Sequence, residues 1–590
     1  MHVLATAGHV DHGKSTLVRA LTGMESDRLA EEHRRGLSIE LGYCWTTLDG
    51  VGEVAFVDVP GHERFLTTAL AGVGPVPAVL FVVAADDPWM PQAAEHLTAL
   101  DALGVEHAVL AVTRSDLADP APMLARGRAE LAATSLKNAE AVAVSARTGA
   151  GLDELREALG SMLHGLPVPD TGADVRMWVD RRFTVRGAGT VVTGTLPAGT
   201  VRVQDTLACG ESTVRVRGVQ TLGRAVDAVS GTARVALNLA GRVADDVRPG
   251  TALTTPQQWQ HTGIADVRLV TYPTAPLPAE PMLHVGSAAL QVRVRPLGPD
   301  TSGLIRLILS RELPLRVGDR AVLRDPGSRA VWGATVLDPA PPPLGRRGAA
   351  AARAADLADA DGSAAQEVRR RGLVSRSFLA RIGVPVEAVP DDTVELAGWM
   401  LSGVRARELT GTLVAEVAEH AAHAGQLDLG LPVTALAARL GVPEEVLAAL
   451  ATAASPSLTV TDGRILASST RELPGRLRES YERLRQDLES DPFAAPGAHR
   501  LAELGLDAKA LAALARAGLV LRLDETTVLL PEAESLAHDR LAELPQPFTA
   551  SQARTALGTS RRVALPLLAR LDRTGTTLRL PDDRRRLRRE

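Results

Sequence analysis

Eight residues near the start of the chain constrain it more than any other stretch. Gly8-His9-Val10-Asp11-His12-Gly13-Lys14-Ser15 follows the apolar run HVLATA and opens the segment STLVRALT. The spacing is that of a phosphate-binding loop between a strand and a helix, which commits this end to an α/β fold. Glycines let backbone N–H groups turn inward around phosphates, and the helix N-terminus adds the positive end of its dipole. Lys14 is placed to reach the β- and γ-phosphates and the Ser15 hydroxyl to ligate Mg²⁺, with His9 to Gly13 and Thr16 completing the cradle. The chain has only three lysines, Lys14, Lys137 and Lys509, so keeping one here is informative.

The loop's expected companions follow in order. Asp58-Val59-Pro60-Gly61-His62 closes the apolar strand VAFVD. There the Asp58 carboxylate can hold the Mg²⁺ shell through water, the Gly61 N–H can bond the γ-phosphate, and His62 can orient an attacking water. Arg34 to Ile39 lies between these motifs as a switch segment should, with Ser38 offering a second metal-ligand hydroxyl. Thr113-Arg114-Ser115-Asp116 ends another strand, and a carboxylate there accepts from both N1–H and the 2-amino group of guanine. Ser145-Ala146-Arg147 would supply N–H groups to the guanine O6. Together the five elements predict a GTPase, with GTP and Mg²⁺ as cofactors.

At 590 residues the chain exceeds what one core can serve, so several domains are expected. Strands alternating with helices over residues 1–171 predict βαβ units and a mostly parallel sheet. Val/Thr alternation with Gly, Asp and Pro turns predicts two small β-barrels, at 172–257 and 258–343, closed by the stiff spacer DPAPPP. The remainder is Ala/Leu/Arg-rich and helical. Ile382-Gly383, Leu440-Gly441, Leu504-Gly505 and Leu557-Gly558 each separate two short amphipathic segments, and three are followed by β-prone hairpins. Helix, glycine turn, helix and wing predict tandem winged helices at 344–402, 403–468, 469–543 and 544–590.

Net charge is −5, yet residues 551–590 hold eleven arginines against four acids, so a basic end sits on an acidic body. In TALGTSRRVALPLL, Arg561 and Arg562 occupy the first turn of a helix whose apolar positions begin at Val563. Both are expected to face outward as an RNA-phosphate site, with the arginine-rich wing Arg584 to Arg589 nearby. Two cysteines, Cys44 and Cys209, exclude a disulfide framework. Phe65 to Ala85 is uncharged but is cut by Gly72, Gly74, Pro75 and Pro77, so no membrane span is expected. The start of the chain reads as having no signal peptide.

GHVDHGKST, RRGLSIELGY, DVPGHERF and RGAGTVVTGTL resemble the translational GTPases of the elongation factor Tu class. The winged arm and the ending FTASQARTALGTSRRVALPLLARLDRTGTTLRL resemble the selenocysteine-specific elongation factors. The resemblance implies a cytoplasmic, monomeric factor whose partners are selenocysteyl-tRNA, the ribosome and an mRNA hairpin, the SECIS element. It also implies that Asp180, Arg181 and Arg234 line the selenocysteyl pocket, where a cationic lining would favour an ionised selenol over a protonated thiol. Two departures stand out: Thr113 and Arg114 where the wider class has Asn and Lys, and Ser38 where Thr is usual. Two other readings remain: a general aminoacyl- or initiator-tRNA carrier, which leaves the arm unexplained, and a GTP-switched regulator with DNA-binding winged helices.

Overall fold

The computed structural model describes residues 1–26, 38, 40–62, 65–186, 189–240, 247–270, 275–299, 303–423, 430–454, 457–467 and 475–588. Of the switch segment, Arg34 to Leu37 and Ile39 lie outside the described residues, as do Glu63, Arg64 and the wing residue Arg589. The chain divides into two compact units, 1–393 and 394–590.

The first unit begins with a six-stranded sheet built from β1 (His2–Gly8), β2 (Gly42–Leu48), β3 (Gly52–Asp58), β4 (Ala78–Ala84), β5 (His107–Thr113) and β6 (Glu140–Ala143). Its order is β2-β3-β1-β4-β5-β6, parallel except for the β2–β3 hairpin. Every residue of AVLFVVA in β4 is buried, as a central strand covered on both faces requires. Separate apolar clusters lie on the two faces, one around Phe81 and Leu110 and one around Leu17, Phe56 and Leu159. The carboxyl ends of β1, β3 and β5 deliver Gly8, Asp58 and Thr113 to one edge, where ligands of open α/β sheets bind.

Next, eight strands between Arg176 and Thr254 form one sheet that curls round a core of Met177, Val192, Val216 and Leu237. A register shift between Val216 and Gly218 accompanies the bend. Six strands between His261 and Asp338 then close into a barrel. Onto it are fastened the helices Ala349–Leu357 and Ala364–Arg371 by a buried ionic network. The Asp266 carboxylate accepts from Arg306 Nε at 2.6 Å and Arg353 Nε at 2.7 Å, and Asp338 accepts from Arg371 Nη2 at 2.6 Å and from Arg353. Pairing of this kind makes buried charge tolerable. It also explains why the two units divide inside 344–402 rather than at its start.

In the second unit, helices Gly403–His423, Val433–Leu440 and Glu444–Ala453 with the hairpin Leu458–Thr461 and Arg464–Ala467 make a winged helix. Two further winged folds follow, but they are not independent beads. Leu484, Phe493, Leu514, Val528, Leu541, Phe548, Val563 and Leu571 belong to one apolar cluster running from 484 to 571. The four turn glycines, Gly383, Gly441, Gly505 and Gly558, all take positive φ between 64° and 79°, which accounts for the repeat legible in the sequence.

Candidate functional site

The cradle at the sheet edge depends on close backbone approaches. At Gly8 (φ 129°) a Cβ would collide with the Val82 carbonyl, and at Gly61 it would collide with Lys14 Nζ. Gly61 thus lies directly on the phosphate loop, as a γ-phosphate contact requires. Lys14 Nζ donates to the carbonyls of Gly8 at 3.2 Å and His9 at 2.7 Å, so its ammonium is held over the loop. A cleft of about 530 Å³, within the usual range for a small-molecule pocket, is lined by Val10, Asp11, Gly13 to Thr16, Ser38, Gly61, Thr113, Arg114, Asp116, Ala146 and Arg147. His62 follows Gly61 but is not among the described lining residues; its ring lies 6.0 Å from that of Phe65.

The Ser15 and Ser38 hydroxyl oxygens stand 3.2 Å apart. Two neighbouring ligands of an octahedral Mg²⁺, each about 2.1 Å from the ion, are separated by about 3.0 Å, so this pair fits the metal. Both oxygens of buried Asp58 accept hydroxyls, from Thr6 at 2.7 Å and Ser26 at 2.8 Å. A carboxylate has about four lone-pair sites, which leaves it capacity for a metal-bound water.

Thr113 and Arg114 do the tethering that their departure from the class pattern put in question. The Thr113 hydroxyl donates to the His12 carbonyl at 2.7 Å, pinning β5 to the phosphate loop, and lies 3.1 Å from the Val83 carbonyl. Arg114 donates to the Asp11 carbonyl and to both oxygens of Asp86 at 3.1 Å. Asp116 accepts from Ser145 Oγ at 2.7 Å and Arg147 Nε at 3.1 Å. The Ser145 hydroxyl, with Arg147 acting in the same sense, holds the carboxyl below the usual carboxylate range, so it is an anion ready to accept.

Sequence reasoning missed one residue that lines this cleft and one buried residue that supports it. Leu117 is 61% exposed beside Asp116, an apolar platform whose signal is its exposure. His96, from the helix Pro91–Ala102, accepts the Gly8 N–H through Nδ1 at 3.1 Å. Burial, with Lys14 adding repulsion, lowers its pKa to about 3 and keeps it a neutral acceptor. His12 is likewise pushed down to about 3, by burial first and then by His9.

A second constellation lies where β2 meets the curled sheet, and it brings Asp180, Arg181 and Arg234 together. Arg234 Nη2 donates to Asp180 Oδ1 at 2.7 Å while its Nη1 bonds Oδ2, and Thr193 Oγ1 also donates to Oδ1 at 2.7 Å. Burial works against the Arg234 charge, but Asp180 more than offsets it and raises the pKa. The Arg181 guanidinium donates to the Leu41 carbonyl and pairs with Glu40 at 3.3 Å. Both arginines cover the Tyr43 ring, at 4.8 Å for Arg181 and 3.8 Å for Arg234, and burial pushes the Tyr43 phenol pKa up. A cleft of about 290 Å³ opens here, with Phe183, Leu222 and Val235 on its apolar side.

At the far end of the chain Arg561 and Arg562 are both exposed, as the helical pattern predicts, but Arg562 also has partners in the protein. Its Nη2 donates to the carbonyls of Ala495 at 2.5 Å and Pro496 at 3.1 Å, fastening the helix Arg561–Thr574 to the preceding winged fold. Helical periodicity placed it off its own core, and there it stays exposed while its guanidinium reaches the neighbouring fold. In the wing Arg585 is buried against Asp572 at 2.9 Å, while Arg584, Arg586 and Arg588 are exposed.

Fold and site define a phosphate-loop nucleotide-binding domain in series with two β-domains and a winged arm. A family model of the elongation factor Tu GTP binding domain matches residues 1–164, and one of the elongation factor SelB winged helix matches 539–586. The chain is 36% identical over 361 residues to the selenocysteine-specific elongation factor of Desulfomicrobium baculatum, covering 58% of this chain and 56% of the relative. It is 30% identical over 391 residues to the translation initiation factor 2 subunit gamma of Thermococcus kodakarensis, covering 55% of this chain and 94% of that one. The crystal structure of a bacterial selenocysteine-specific elongation factor, EF-Sec, superposes with a TM-score of 0.75 at 26% identity, covering the whole of both chains. The chain belongs to the translational GTPases of the elongation factor Tu class, and its last winged helix and its full-length fold are similar to those of selenocysteine-specific elongation factors. Its sequence match spans little more than half the length of the selenocysteine-specific relatives. Among the described residues no helix is long and apolar enough to cross a membrane.

Proposed function

We propose that the chain is a cytoplasmic, monomeric elongation factor that binds GTP and selenocysteyl-tRNA, holds an mRNA hairpin with its last winged helix, and delivers selenocysteine at recoded UGA codons with GTP hydrolysis on the ribosome. Its support is the occurrence on one chain of an elongation factor Tu GTP-binding domain and a SelB winged helix, with Arg181 and Arg234 gathered at one small cleft between them in sequence.

In this reading Lys14, the inward N–H groups of His9 to Gly13 and the Gly61 N–H bind the phosphates. Asp116 selects guanine, because adenine offers no paired N1–H and 2-amino donors, and Ser145 to Arg147 close the base site. Ser15 and Ser38 hold Mg²⁺ with Asp58 behind, and the bound ion neutralises phosphate charge. His62 orients the attacking water once the ribosome brings it inward, a positioning role. In the second cleft a selenol, ionised at neutral pH, presents a full negative charge to guanidinium groups where a serine hydroxyl cannot. Sequencing the RNA that copurifies with the protein tests the reading. A selenocysteine tRNA together with a hairpin-bearing mRNA is expected; bulk elongator or initiator tRNA would overturn it.

A further inference from the structure

The charges of the second cleft pose a problem for recognition of an anion. Asp180 and Arg234 are locked to each other, with side chains 3% and 10% exposed, and cancel. Arg181 is therefore the cation left to meet a selenolate, and an arginine on an outer strand has many rotamers to lose before it can do so. In the structure it is held by three contacts that all come from one stretch of the nucleotide-binding domain: the Leu41 carbonyl, the Glu40 carboxylate at 3.3 Å and the Tyr43 ring at 4.8 Å. That stretch starts two residues after Ser38, whose hydroxyl is 3.2 Å from Ser15.

We propose that Glu40 is a positioning residue that presents Arg181 to the aminoacyl group when Ser38 is drawn to the nucleotide-bound metal, so that nucleotide state sets the affinity of the cleft for an anionic side chain. This builds on the function proposed above. An opposing effect must be weighed, since a carboxylate next to Arg181 also repels a selenolate. Glu40 is 55% exposed and Arg181 26%, so water screens that repulsion, whereas the restriction of Arg181 is not screened. Preorganisation wins, and the contact aids binding rather than competing with it. With Ser38 disengaged, Glu40 is the contact set free, because Leu41 is buried in the core and Tyr43 is paired within β2, and Arg181 loses the carboxylate that fixes its guanidinium.

The test measures dissociation constants of the full chain, in GTP and GDP forms, for selenocysteyl-tRNA and for seryl-tRNA on the same tRNA body. Glu40→Ala should weaken selenocysteyl-tRNA binding to the GTP form by about two- to fivefold, the scale of an exposed ion pair. It should leave the GDP form and seryl-tRNA unchanged. Glu40→Asp should restore part of the loss, and in an Arg181→Ala background Glu40→Ala should have no further effect. Tighter binding by Glu40→Ala would show that the carboxylate competes, and an equal loss for both tRNAs or in both nucleotide forms would show a structural role; either overturns the inference. If the unmodified protein does not prefer selenocysteyl-tRNA at all, the proposed function fails and this inference with it.

Discussion

The Ser15 and Ser38 hydroxyl oxygens, 23 residues apart in sequence, stand 3.2 Å apart at the mouth of the phosphate cradle. One belongs to the helix that ends the phosphate loop and the other to the switch segment. A metal ligated by both ties the switch to the nucleotide. Ser38→Ala should therefore weaken GTP more than GDP, by about tenfold for the loss of a charge-assisted contact, whereas Ser38→Thr should keep both affinities. Stopped-flow dissociation of fluorescent GTP and GDP at saturating Mg²⁺ checks this, and equal losses for both nucleotides would remove Ser38 from the metal.

Lys14 and His62 should separate binding from hydrolysis. Lys14 sits over the loop on the Gly8 and His9 carbonyls. Lys14→Ala should abolish measurable nucleotide binding. His62 is not among the described lining residues of the cleft, so His62→Ala should bind GTP normally while ribosome-stimulated hydrolysis falls by a factor on the order of 10². A wild-type hydrolysis rate in His62→Ala with ribosomes present would rule out water positioning by this ring.

The His96 pKa carries a prediction about acid. Folded His96 titrates at about 3, against an ordinary 6.5, so between those values the unfolded chain binds the extra proton. Stability contributed by the neutral ring is present above pH 6.5 and is lost as pH falls from there toward 3. At pH 5.5 the loss is about 1.4 kcal/mol. In His96→Gln, whose side-chain oxygen can still accept the Gly8 N–H, denaturant unfolding should show a drop between pH 7.5 and 5.5 smaller by that amount. An unchanged drop would mean the ring is not held neutral.

Much of the geometry of the candidate nucleotide cleft was legible because its parts are backbone and short-range: a glycine at Gly8 or Gly61 marks a place where a Cβ would strike a neighbour, and the motif spacing reports it directly. What could not be read was partnership across the fold. His96 meets Gly8 from 88 residues away, and nothing in its helix's pattern distinguishes it from a core histidine. Thr113 looked like the loss of an amide tether, yet its hydroxyl at the end of a buried strand reaches the His12 carbonyl of the phosphate loop. In the second cleft Arg181 and Arg234 were identified but Glu40, Tyr43 and Thr193 were not, since they come from other parts of the chain.

The arm tests how far a repeat implies independence. Because the last two winged folds share one core from Leu484 to Leu571, deleting residues 544–590 removes Phe548, Val563, Leu567 and Leu568 from that core and leaves Phe493, Val528 and Leu541 facing water. Losing a single large apolar side chain from a core costs about 2 to 5 kcal/mol, so this deletion should unfold 475–543 as well. Removing 475–590 as a block should leave GTP binding unchanged. Within the last fold, Arg561 and Arg562 should part company. Arg561→Ala should weaken RNA-hairpin binding and reduce its salt slope by about one, as for a phosphate contact, and an Arg586→Ala, Arg588→Ala pair in the exposed wing should act in the same direction. Arg562→Ala should instead lower stability by about 1 to 3 kcal/mol, because the Ala495 and Pro496 carbonyls lose their donor, with little change in the salt slope. Thermal unfolding and hairpin titrations at several salt concentrations separate the two. A 544–590 deletion that leaves 475–543 folded, or an Arg562→Ala protein of normal stability that loses RNA affinity, would show that the two folds are independent and that both arginines face the ligand.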